Sequence, residues 1–149
     1  MKQWEELLRE IEQESDPNVL YDKYHFEDNF ALLLTIDDSQ REALEKTLEN
    51  YPKEDGFERN YEMFGCRGYM VGDTTLRYNS TRSPGFVEGF EKDLGEESDS
   101  NASMTFHPHG NTLAEKVTLG KQAVVEITKK MMELRIPFVS VGPPSRYFP

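Results

Sequence analysis

Two short stretches hold residue types that could do chemistry. The first is His107-Pro108-His109-Gly110-Asn111-Thr112, at the start of the longest helical pattern in the chain. Imidazole titrates near neutral pH, so His107 or His109 suits general acid or base work. The first turn of a helix leaves backbone N–H groups unpaired, and its dipole favours an anion. Asn111 or Thr112 is placed to cap that turn, and the N–H groups of Leu113 and Ala114 are placed to meet a phosphate or carboxylate. A helix N-terminus also lowers the pKa of a neighbouring imidazole and keeps it neutral. Metal binding is a poor fit. Zinc needs three or four ligands, one turn supplies two, and Pro108 restricts how both rings can point together.

The second stretch is Asp73 to Ser83, DTTLRYNSTRS. Arginine offers a planar fork that matches phosphate or carboxylate. On alternate residues of one strand, Thr75, Arg77 and Asn79 share a face. Arg82 follows just past the strand end, before the Ser83-Pro84-Gly85 turn. Tyr78, Tyr69 or Tyr147 offers a ring for stacking, and Arg146 in the C-terminal tail could border the same pocket. A solvated strand face with its arginines paired to the acidic residues at 88–101 is the plainer alternative.

These residues need elements to hold them. Trp4, Leu7, Leu8 and Ile11 recur at helical spacing, which predicts a helix over 3–14, stopped by Asp16-Pro17-Asn18. The apolar run 29–36, NFALLLTI, reads as a central strand buried on both faces. Ser39 to Glu42 has capping-box spacing ahead of a helix to about Asn50. Strands are expected at 61–64, 69–71 and 74–78, with Gly65 and Gly68 as breaks and Gly72-Asp73 as a turn. Residues 88–101 read as a mobile acidic loop and 103–107 as a short strand. A long helix follows with the stripe Leu113, Val117, Gly120, Val124, Ile127, Met131 and Leu134. A last strand at 138–141 precedes an irregular tail over 142–149. The pattern predicts one α+β domain over 1–149, with an antiparallel or mixed sheet and helices on one face. It is compatible with a ferredoxin-like order carrying an extra N-terminal helix.

Composition excludes several classes. The chain has 149 residues and a formal net charge of −11. Residues 1–60 carry −10, residues 61–100 carry −4 and residues 101–149 carry +3. Duplex nucleic acid would repel such a surface. No apolar run approaches the length of a membrane span. Residues 1–15 are acidic and amphipathic, unlike a secretory signal, so the expected location is cytoplasmic. Cys66 is the only cysteine, which rules out an internal disulfide. The sequence lacks the glycine-rich phosphate loops, paired CxxC motifs, the serine elbow and the kinase signatures. No cofactor is implied.

The leading expectation is therefore a protein that binds a small anionic, phosphate-bearing, nucleotide-like ligand. Arg77 and Arg82 would neutralise its charge, with Thr75, Asn79, Tyr78, Asn111, Thr112 and Arg146 around it. If the ligand is turned over, His107 or His109 is the general base or acid and phosphoester hydrolysis is the class. The alternative is a non-enzymatic acidic module that engages a basic protein partner, of the inhibitor, immunity or phage counter-defence type. The sequence leaves the oligomeric state open.

Overall fold

The computed structural model describes residues 2–59, 66–79 and 102–144. The strand expected at 61–64, Arg82, the Ser83-Pro84-Gly85 turn, the 88–101 loop, Arg146 and Tyr147 lie outside the described residues. The described chain runs α1 (Lys2–Gln13), α2 (Pro17–Asp22), β1 (Phe30–Leu34), α3 (Asp38–Leu48), β2 (Cys66–Val71), β3 (Thr74–Asn79), β4 (Ala102–His107), α4 (Leu113–Glu133) and β5 (Phe138–Val141).

The strands form one antiparallel sheet in the order β2-β3-β4-β1-β5. The fold is α+β. β4, α4 and β5 form a split β-α-β unit, with β1 between its two strands and antiparallel to both. Three described strands lie between α3 and α4, one more than a ferredoxin-like order contains.

Alternation divides the sheet into a near face, against the helices, and a far face. Phe30, Leu32 and Leu34 of β1 stand opposite Phe106, Met104 and Ala102 of β4 in register, and all six are buried. Phe30 and Phe106 stack with ring centroids 5.2 Å apart. Leu76 and Tyr78 of β3 continue this near face. Val117, Val124, Ile127 and Met131 of α4 and Leu44 and Leu48 of α3 close the same core. Leu33 points to the far face and is buried as well, so β1 is covered on both sides, as its unbroken apolar run implies.

Two helix starts differ from the sequence expectation, and the cause is the same. α1 ends at Gln13, ahead of Asp16-Pro17-Asn18 as expected, but Asp16-Pro17 also opens a further helix, α2, that the sequence pattern does not predict. The Asp16 side chain accepts a hydrogen bond from Asn18 N at 2.9 Å, and Pro17 occupies the first turn, where no N–H is needed. For α3 the cap is Asp37, not Ser39. Asp37 Oδ1 accepts from Gln40 N at 2.7 Å, and Gln40 Oε1 accepts from Asp37 N at 3.2 Å, a reciprocal capping box.

α4 approaches the chain closely at Gly120. A Cβ built there would lie 2.1 Å from the backbone oxygen of Phe26. Backbone cannot retreat as a flexible side-chain tip can, so Gly120→Ala should separate α4 from the segment between α2 and β1. The intrinsic helix preference for Ala is worth only about 1 kcal/mol. Overpacking costs about 1–3 kcal/mol, so the variant should be less stable than the wild type in urea denaturation. An unchanged or raised midpoint would show that the contact is not tight.

Candidate functional site

The far face of β3 and β4 carries a cluster of polar side chains. β2 and β3 are joined by the two-residue turn Gly72-Asp73, with Val71 paired to Thr74 and Gly72 at φ +60°. From that turn β3 alternates as the sequence predicts. Thr74, Leu76 and Tyr78 are buried on the near face, while Thr75 and Arg77 take the far face. β4 contributes Thr105 and His107, because Arg77 pairs with Thr105 and Thr75 with His107. Arg77 and His107 are thus diagonal neighbours on adjacent strands, within reach of long side chains.

Glu54 completes the cluster. The segment after α3 runs beside β2, with Met70 N donating to Pro52 O at 2.7 Å and Glu54 N donating to Gly68 O at 3.1 Å. This fixes the Glu54 backbone at the sheet edge. Its side chain then lies across Gly68, where a built Cβ would fall 2.0 Å from both Cδ and Oε1 of Glu54. Gly68 is the register partner of Arg77, so the carboxylate arrives beside the guanidinium. Oε1 is 3.5 Å from Arg77 Nε. The Glu54 side chain is 10% exposed and that of Arg77 is 52% exposed. One group is tucked against the sheet and the other is accessible to a ligand.

His107 is half-buried at the end of β4. Burial, then the positive Arg77 and then His109 push its pKa below the ordinary value, against a weaker upward pull from Glu54. The ring is therefore neutral at neutral pH, as a general base must be. Desolvation is the largest of these causes.

Part of the helix N-terminus is served from within. Thr112 caps α4, and its Oγ1 accepts from Glu115 N at 3.2 Å. Glu115 Oε2 in turn accepts from Asn111 N at 2.7 Å and Thr112 N at 3.3 Å. A carboxylate of the chain itself thus takes the amides of Asn111 and Thr112, which precede the Leu113 and Ala114 amides that the sequence offers to an anion. Asn111, Thr112 and His109 are exposed.

The other sequence candidates divide by face. Tyr78 and Tyr69 are fully buried on the near face, so neither ring can stack on a ligand held by Arg77. Burial raises both phenol pKa values. Arg67 also points to the near face, 3.6 Å from Glu45 of α3, and does not join Arg77. Asn79 is the last residue of β3. Arg82 and Arg146 lie outside the described residues. Thr75, Arg77 and His107 come together, and His109 is near enough to act electrostatically on His107.

A depression of about 290 Å³ also lies on α4, lined by Thr118, Lys121, Gln122, Val125 and Glu126. Its lysine is engaged, donating to the Glu12 and Glu14 carbonyl oxygens at the end of α1. Among the described residues no three of His, Cys, Asp and Glu gather as metal ligands would. No described helix is long and apolar enough to cross a membrane.

The depressed pKa of His107 has a sign that can be tested. In the unfolded chain the imidazole protonates near the ordinary value of about 6.5. In the folded protein it protonates only at lower pH. Between those two values the unfolded state binds more protons, so stability falls as pH drops through that window. His107→Gln should flatten this part of the stability profile relative to wild type, read by urea denaturation between pH 5 and 8. An identical slope in both proteins would contradict the assignment.

No protein-family model, curated protein or solved structure matches this chain.

Proposed function

We propose that the far face around Arg77 and His107 binds a small anionic ligand, phosphate-bearing and nucleotide-like. The observation that supports this most is the strand register. It sets a half-exposed guanidinium diagonal to a neutral imidazole, with the Thr75 and Thr105 hydroxyls between them. Arginine supplies charge and a planar donor fork. Threonine hydroxyls and a neutral imidazole supply donors that add little charge of their own. For a ligand with a phosphoester bond, His107 is the group able to take a proton from an attacking water.

A second reading draws on β5. Val139 and Val141 are 52% and 46% exposed on the same far face. Exposed apolar side chains in a row suit a protein-interaction module, and the carboxylates of residues 1–60 would favour a basic partner. In that reading Arg77 and Glu54 are a structural pair.

Ligand binding separates the two. AMP far above its dissociation constant should raise the thermal midpoint of the wild type, because it binds only the folded state. Arg77→Gln should weaken AMP binding about tenfold to a hundredfold, the usual scale for losing a hydrogen bond to a charged group. Arg77→Lys should retain part of it. Each variant is compared with itself, with and without AMP, since loss of the Arg77–Glu54 ion pair also changes the starting stability. An Arg77→Gln protein that binds AMP as the wild type does would overturn the site.

A further inference from the structure

We propose that Glu54 is a built-in counter-ion of this site, and that the ligand group able to displace it is a phosphomonoester dianion. The inference rests on Arg77 as the anion seat. It adds which anion the seat admits and what holds the seat when it is empty.

The geometry defines a tethered competitor. Glu54 is fixed at the backbone by its N–H bond to Gly68 O, and its carboxylate reaches Arg77 only by crossing Gly68. Any side chain at position 68 would occupy the space of the Glu54 carboxylate. A glycine inside a strand often marks such a close approach, and here it clears a path for one particular charge.

A tethered group competes at an effective concentration on the order of millimolar or above. A free carboxylate offers Arg77 the same charge and shape as Glu54, so it gains nothing by exchange until it exceeds that concentration. A phosphodiester also carries one charge and meets the same barrier. A phosphomonoester carries about −1.5 to −2 at pH 7 and three acceptor oxygens. It can outbid Glu54 at Arg77 while also accepting from the Thr75 and Thr105 hydroxyls and from His107.

The test uses AMP and cyclic AMP, which share base and sugar and differ in the phosphate. Each is titrated by calorimetry into wild type, Glu54→Gln, Gly68→Ala and Arg77→Gln. The wild type should prefer AMP over cyclic AMP by about tenfold or more. Glu54→Gln should bind both, with cyclic AMP gaining more, so that the preference shrinks. Gly68→Ala evicts the carboxylate by a different route and should shift the preference the same way. It also guards against a folding defect in the first variant. Arg77→Gln should bind neither well. An unchanged preference in both Glu54→Gln and Gly68→Ala, with binding still lost in Arg77→Gln, would overturn the counter-ion and leave the anion seat standing. A wild type that binds cyclic AMP as well as AMP would do the same. No binding of either nucleotide by wild type and Glu54→Gln would overturn the seat itself.

Discussion

The burial of β1 on both faces is the constraint that the rest of the molecule follows. Leu32 and Leu34 sit under the helices while Leu33 is buried on the opposite side. A strand with apolar groups on both faces cannot lie at an edge, and β1 accordingly has β4 on one flank and β5 on the other. Its pairing with β4 fixes the alternation of β4, and β4 fixes β3. A one-residue slip anywhere in that chain would exchange Leu76 and Arg77 between core and surface. The position of the candidate site is thus a consequence of core packing two strands away.

The edge at β2 adds what the sheet alone does not provide. Residues 52–54 hydrogen-bond along it and cover part of that edge. The same segment carries a carboxylate into the far face. Glu54 also explains why a net-acidic chain can present an arginine there without leaving it as an isolated charge. With His107 neutral, the Arg77–Glu54 pair is balanced. Arrival of an anion would alter that balance, which ties the electrostatics of the site to the sequence of its edge.

Much of the fold was legible in the sequence. Helical periodicity located α1, α3 and α4, and the unbroken apolar run located β1, because both signals come from burial and burial governs these elements. Period-two alternation placed Thr75 and Arg77 together. What local patterns missed was set by capping chemistry or by distance in the chain. Asp16-Pro17 looks like a stop when Pro is read only as a breaker, yet the same pair begins a helix when Asp supplies the cap. Leu113 falls on the apolar stripe of α4 yet is exposed, since the capping box begins the helix before its buried face turns inward. Tyr78 adjoins Arg77 in sequence, but alternation sends it to the core.

Glu54 was the functional candidate that the sequence reading did not find. Among the described elements β2 and its turn lie between it and Arg77 in the chain, and nothing in Pro52-Lys53-Glu54 marks it. The one available signal was Gly68, read as a strand break and found inside β2. The most direct test of the account is a nitrogen-15 NMR titration of the wild type with AMP. Shifts concentrated at Thr75, Arg77, Thr105 and His107, including the Arg77 Nε–H, are the predicted result. Shifts centred instead on Asn111 to Glu115 at the start of α4, or no shifts, would contradict it.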